Sequence, residues 1–463
     1  MSVRTRFAPS PTGLLHIGSA RSALFNYLFS RHHGGTYLIR VEDTDRERSK
    51  PEFTDAILAG LAWLGIPPDE PPVFQSTRAP RHAEIAHEML ARGRAYYCYC
   101  TPDELRQMRE TAAAEGRPPR YDGTWRDRDP AKAPPGVKPV IRLKAPREGA
   151  TTVHDLIQGE ITVNNSELDD LIILRSDGSP TYLHAVVVDD HDMDITHVIR
   201  GDDHMTNTFR QIQIYNAMDW TLPRFAHMPL IHGADGAKLS KRHGAVNLLD
   251  FRDDGFLPEA MMNFLMRLGW SHGDTEILDR EEAIRLFDLD GVGRSAARMD
   301  YTRLLQLNGV WLRRADDERL TADVVKRLTV KGLDAERVRD RILGLMPFLK
   351  ERAKTLVDLA DSTAFLAHHM PLNFEEKAQA LLTPEAKAAL PALAAVLDGT
   401  DWTAAALDAA LRSYADAAGQ KLGKVAQPLR AALTGSTMSP PIDQTLAALG
   451  REEALARIAG AAA

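Results

Sequence analysis

Residues 3–45 read VRTRFAPSPTGLLHIGSARSALFNYLFSRHHGGTYLIRVEDTD. Residues 3–8 have the composition of a short strand, and Pro9-Ser10-Pro11-Thr12-Gly13 is turn-forming. Ile17, Ala20, Leu24, Tyr27 and Leu28 then recur at helical spacing, until Gly34-Gly35 ends the helix before a second strand at residues 36–41. Strand, helix and strand in that order form a βαβ unit, whose strands run parallel. The fold class expected is therefore α/β, with a Rossmann-like parallel sheet.

Downstream, residues 185–188 and 195–199 are β-branched runs that read as strands, and residues 209–217 look helical. Both blocks are expected to share one sheet. Between them lie a helix (residues 82–91), a Pro- and Arg-rich loop (116–139) and short strands such as Val140–Leu143. This stretch reads as an inserted α+β domain. After about residue 246 the pattern is helical almost throughout, so the C-terminal part is all-α. The expected division is an α/β domain in two halves (1–78 and 180–245), an inserted α+β domain (79–179), a helical domain (246–313) and an all-α region (314–463).

With 463 residues, the chain is too long for one ordinary core. Its 44% apolar and 26% charged residues are the balance of a globular chain. No stretch approaches the roughly 20 apolar residues that span a bilayer, and the first residues lack the apolar core of a secretory signal. Cys98 and Cys100 alone cannot form a disulfide framework. A cytoplasmic monomer that does not associate with membranes is expected. The net charge of −7 gives no global footprint for nucleic acid, so any RNA contact must come from local basic clusters.

Two short motifs carry chemistry. His16-Ile17-Gly18-Ser19 falls at the first helix's N-terminus, where backbone amides and the helix dipole favour phosphate and Gly18 admits a close approach. Alone, such a His and Gly at a helix start are more often a cap and a packing contact. The second motif, Lys238-Leu239-Ser240-Lys241-Arg242 in a Gly-rich loop, can clamp a triphosphate and stabilise charge on leaving pyrophosphate. A lone basic run is usually a solvated loop. It is the pair, one motif just after the first strand and the other far downstream, that is specific.

On these motifs the chain resembles the class I aminoacyl-tRNA synthetases, whose HIGH and KMSKS signatures correspond to residues 16–19 and 238–242. The resemblance runs over essentially the whole chain and is closest to bacterial glutamyl-tRNA synthetases, in FAPSPTGLLHIG, IRVEDTDRERS, PTYLHAVVVDDHDM, THVIRGDDH and KLSKRHGAV. It implies ATP-dependent activation of L-glutamate, assisted by Mg2+, and transfer to tRNA(Glu). His16, Lys238 and Lys241 would be catalytic, and Pro11, Thr12, Gly13, Gly18, Ser19, Leu239, Ser240 and Arg242 would complete the ATP site. Arg6, Ala8, Ser10, Glu42, Tyr182 and Arg200 would bind glutamate: Arg6 and Tyr182 its side-chain carboxylate, Arg200 its α-carboxylate, and Glu42 with Ser10 its ammonium. Which arginine takes which carboxylate stays open.

Many relatives join a CxC pair to a later CxH to hold zinc. Here Trp125 and Asp127 replace the later pair, leaving two thiols where a structural zinc needs about four ligands. No metal site is expected, and the cysteines read as small apolar groups in a core. The C-terminal region resembles helical anticodon-binding domains, with Arg352 placed to read an anticodon base, although one Arg in a basic helix is also a common solvated feature. Charging of tRNA(Gln) stays open. A tRNA-binding paralogue without catalysis, and an adenylating ligase that does not use tRNA, are the competing readings. Intact His16, Lys238 and Lys241 weigh against the first and the long helical tail against the second.

Overall fold

The structure is a computed structural model that describes residues 2–45, 47–116, 118, 120–237, 239 and 247–463. It forms two compact units, one comprising the chain up to Asp250 with Met262–Asp300, the other Phe251–Met261 with Tyr301–Ala463.

The first unit opens with β1 (Arg4–Phe7), α1 (Ile17–His32) and β2 (Thr36–Val41). β1 and β2 pair in parallel, with Arg6 opposite Leu38 and Phe7 opposite Ile39. Ile17, Ala20, Leu24, Phe25 and Leu28 of α1 are fully buried. The return from α1 depends on two glycines. Gly34 has φ +61°, and a Cβ on Gly35 would collide with the Val3 carbonyl. α2 (Pro51–Trp63) and the short β3 (Val73–Phe74) follow, and β3 pairs with β2.

The segment from 79 to 179 contains α3 (Ala79–Ala91), β4 (Ala95–Cys98), α4 (Pro102–Ala114), β5 (Val140–Leu143), β6 (Ala150–Asp155), β7 (Gly159–Asn164) and β8 (Ile172–Leu174). Strands β4, β5 and β8 form a separate antiparallel sheet. The β6–β7 hairpin does not join it, and instead extends the main sheet, with Asp155 opposite Phe225. The inserted segment is thus shared between two sheets and is not wholly set apart from the catalytic core.

The chain then re-enters through α5 (Tyr182–Asp192), β9 (His197–Gly201), α6 (Met205–Ala217) and β10 (Arg224–Met228). The run at 185–188, expected as a strand, is helical within α5. Ala185, Val186, Val187 and Val188 are all buried. A short apolar run enclosed on every side has no solvent face to reveal its period, so β-branching alone misassigns it. The main sheet has the order β3-β2-β1-β9-β10-β6-β7. Its six parallel strands, β3 to β6 in that order, run outward in both directions from β1 and β9, which leaves a crevice at their carboxyl ends where the winding reverses.

The second unit is helical throughout its described residues, from Tyr301–Arg314 to Arg451–Ala462. Arg457, fully buried, donates to the carbonyls of Leu433, Phe365 and His368 and to Glu453, tying three segments together. The stretch 246–313 is divided between the two units and forms no body of its own. No described helix is long and apolar enough to cross a membrane.

Asp155 locks the hairpin to the sheet. Its carboxylate accepts from His227 Nδ1 at 2.6 Å and from the amides of His227 at 3.1 Å and Gln158 at 2.8 Å. Burial alone would raise this carboxyl, but the His227 side chain and the Gln158 amide overcome that and hold it below the ordinary range. A carboxylate depressed in the folded state stabilises the fold above its unfolded value of about 3.9, and that contribution is lost as pH falls through the folded value. Asp155→Asn is expected to cost about 2–4 kcal/mol at neutral pH and progressively less on acidification. Urea unfolding across pH measures both, and a loss that stayed constant down to acid pH would contradict the ionised state.

Candidate active site

The crevice between β1 and β9 is a cleft of about 440 Å³. β1 and the turn after it contribute Arg6, Ala8, Pro9 and Ser10; β2 ends on Glu42; α5 begins with Tyr182; β9 brings Arg200 and Gly201. All six residues expected around an amino acid therefore line one cavity, with His16, Gly18, Ser19 and Leu239. Pro11 lines a separate depression beside it, with Asp43, Lys50 and Phe74, and neither Thr12 nor Gly13 is part of the cleft wall. Lys238, Ser240, Lys241 and Arg242 lie outside the described residues.

His16 caps α1. Its Nδ1 accepts from the Gly18 amide at 3.1 Å, so a neutral ring carries its proton on Nε2. The flanks of the basic loop lie nearby. Asn247 forms a β-bridge to His16, and the Leu239 amide donates to Ile231 O at 3.4 Å.

Two arginines in the cleft have opposite surroundings. Arg6 donates to both oxygens of Asp190, at 3.0 and 3.4 Å. Arg40 bridges Asp190 at 2.5 Å and Glu42 at 3.1 Å. Burial pushes the Glu42 carboxyl above the usual range, against the pull of Arg40 and Arg6. Arg200 instead donates to neutral groups, to His227 Nε2 at 3.1 Å, Thr208 Oγ1 at 2.7 Å and Gln211 Oε1 at 2.8 Å. It is 8% exposed, and among the described residues it pairs with no carboxylate. Burial and the nearby Arg6 charge lower it to about 10. Arg200 is thus a buried cleft arginine whose hydrogen bonds go to neutral partners, an arrangement that suits an anionic ligand.

The sequence reading missed several cleft residues. Arg21, buried on the inner face of α1, donates to Leu268 O at 2.8 Å and to Pro229 O, and so braces the segment that leads to the basic loop. Burial lowers it to about 10, with Asp202 opposing. Its signal was an arginine on an otherwise apolar helix face. Asp203 and His204 directly follow β9, a position that the carboxyl-end rule of parallel sheets marks for ligands.

Away from the cleft, Cys98 and Cys100 pack with Tyr96, Tyr121 and Trp125. Trp125 is buried, and Asp127, largely exposed, pairs with Lys144 at 3.5 Å. The pair is not purely apolar in its contacts: Cys98 Sγ lies 3.4 Å from the Tyr121 hydroxyl, and hydrogen bonding with Cys100 draws the Cys98 thiol below its ordinary value.

Residues 2–306 match the family described as tRNA synthetases class I (E and Q), catalytic domain, and residues 318–462 match an anticodon binding domain. The chain belongs to the class I tRNA synthetases for glutamate and glutamine. It is 67% identical to glutamate–tRNA ligase 1 of Gluconacetobacter diazotrophicus, with both chains fully covered, and 65% identical to that of Acidiphilium cryptum, with 99% of each covered. A crystal structure of a glutamate tRNA ligase from Elizabethkingia meningosepticum in complex with its amino acid superposes with TM-score 0.86 at 32% identity, covering 100% of this chain and 99% of that one.

The cap that His16 makes and the phosphate role expected of it are separable by substitution. His16→Asn, which keeps a good helix cap, is expected to stay within a few tenths of a kcal/mol of the parent, whereas His16→Ala loses about 1 kcal/mol. Both should lower ATP–pyrophosphate exchange, by on the order of 10²-fold. Exchange retained by His16→Asn would mean that capping is the residue's whole role.

Proposed function

We propose that this chain is a glutamate–tRNA ligase: it activates L-glutamate with ATP to glutamyl-adenylate, releases pyrophosphate and transfers glutamate to the 3′ end of tRNA(Glu), releasing AMP. The carrying observation is Arg200, buried in the cleft with its hydrogen bonds on neutral groups. Glutamate brings two carboxylates, one for Arg200 and one for Arg6. Glutamine brings one, and its amide would point donors at a guanidinium.

In this reading Arg6 and Tyr182 hold the side-chain carboxylate, Arg200 the α-carboxylate, and Glu42 with Ser10 the ammonium, with Ala8 closing the wall. Asp190 and Arg40 keep Arg6 and Glu42 from turning toward each other. The α-carboxylate attacks the α-phosphorus of ATP, and the enzyme contributes placement and charge neutralisation. The Nε2–H of His16 and the α1 N-terminus at Gly18 and Ser19 face the phosphates, with Pro11, Thr12 and Gly13 in the preceding turn. Lys238, Leu239, Ser240, Lys241 and Arg242 complete that side, Lys241 with His16 stabilising the transition state and Lys238 orienting pyrophosphate.

Mg2+ would arrive with ATP. The cleft wall includes a hard oxygen ligand for it, the Asp203 carboxylate just past β9. Bound, the ion would withdraw charge from the phosphates. At the Cys98–Cys100 pair we propose no structural zinc, because an indole and an exposed carboxylate stand where two further ligands are needed. The free thiols fit a reducing cytoplasm. In the helical unit, Arg352 is exposed in the turn after Arg339–Leu349, and its charge helps to lower Arg430. Two adjacent cations suit an RNA backbone or base edge, and we assign the anticodon contact there.

Charging assays with radiolabelled glutamate, purified tRNA(Glu) and tRNA(Gln), and a parallel arm with glutamine, test substrate and tRNA choice together. Arg200→Met is expected to lower kcat/KM for glutamate at least ~10²-fold, with Arg200→Lys recovering part of it. Because burial raises Glu42 and the ammonium needs its carboxylate, KM for glutamate should climb as pH falls toward the raised value. Glu42→Gln should have a high KM that no longer responds. Full charging by Arg200→Met at low glutamate would overturn the assignment.

A further inference from the structure

We propose that His32, His33 and Asp288 form a binding site for a divalent transition-metal ion of the zinc class, at the end of α1 opposite His16. One donor atom from each of the three residues lies within 4.8 Å of the other two. His33 Nε2 is 3.5 Å from Asp288 Oδ1. Ligands around tetrahedral zinc, with bonds of about 2.05 Å, stand roughly 3.3 Å apart, so small rotations of half-exposed side chains close the set. Two imidazoles and a carboxylate with water in the fourth place suit zinc, cobalt(II) or nickel(II), and are too hard for copper(I) and too nitrogen-rich for magnesium.

Two of the donors are also oriented from behind by hydrogen bonds, as ligating side chains are. His32 Nδ1 is 2.9 Å from Ile284 O. A carbonyl only accepts, so Nδ1 carries the proton and Nε2 keeps its lone pair. The His33 ring packs edge-on against Phe29, with centroids 4.4 Å apart. Asp288 accepts the Leu289 amide at 2.7 Å through its side chain and the Trp270 indole at 3.0 Å through its carbonyl. The two histidines close the carboxyl end of α1, where the helix dipole favours a cation. A bound ion would clip this end of α1 to the segment 284–291, which packs against it.

The test uses the full chain, stripped with chelator and titrated with Co2+ and, by calorimetry, Zn2+. One equivalent should bind with visible d–d absorption and without near-ultraviolet sulfur-to-cobalt charge transfer. His33→Ala and Asp288→Asn, the latter keeping the cap on Leu289, should each weaken binding at least ~10-fold. The Cys98→Ser/Cys100→Ser double variant should bind as the parent does. Zn2+ should raise the melting temperature of the parent and not of His33→Ala, with unchanged circular dichroism showing that both are folded. No saturable binding, meaning an ion pair only, would overturn the proposal, as would binding abolished by the cysteine variant or indifferent to His33→Ala.

Discussion

Asp190 holds two guanidiniums at once, Arg6 from β1 and Arg40 from β2, in a site closed to solvent. Burial would raise this carboxyl, but the two arginines hold it below the usual range. Removing any member would leave an uncompensated buried charge, which costs far more than the intact group contributes. What the cluster provides is placement. It fixes the start of the sheet against α5, and the same contacts fix Arg6, Glu42 and, through the helix that carries Asp190, Tyr182.

Next to it, Asp189 on α5 forms a second buried group, accepting from His82 at 2.8 Å, Gln75 at 2.9 Å and Arg78 at 2.5 Å. Consecutive acids on one helix thus serve two neighbourhoods, one bracing the cleft and the other docking α3 of the inserted segment. Arg200 stands apart from both, oriented by a relay from Asp155 through His227 and by Thr208 and Gln211. Neutral dipoles position a guanidinium without satisfying its charge, which keeps its electrostatic energy for a ligand. The cleft joins an ion-paired framework to an arginine positioned by neutral dipoles.

That relay begins in the β6–β7 hairpin, inside the segment that otherwise builds a separate small sheet. The inserted region is therefore coupled mechanically to the cleft, since displacing the hairpin moves Asp155, and Asp155 sets the His227 ring that orients Arg200.

The sequence by itself determined the opening βαβ unit, the helical C-terminal region and the histidine-and-glycine motif, because each is a local pattern: a period, a breaker pair at Gly34-Gly35, a cap three residues from a turn. It also marked Arg6, Glu42, Tyr182 and Arg200, which the fold brings to one cavity. It misread 185–188, where complete burial erases the period, and it could not place the hairpin of residues 150–164 in the main sheet. Asp155 and Asp190 were invisible as site residues because the side chains they pair with are far away in sequence and meet only when the strands and helices pack together. Only the tertiary structure decided the charge balance of the cleft, since whether an arginine is spent or available depends on the carboxylate that packing sets beside it.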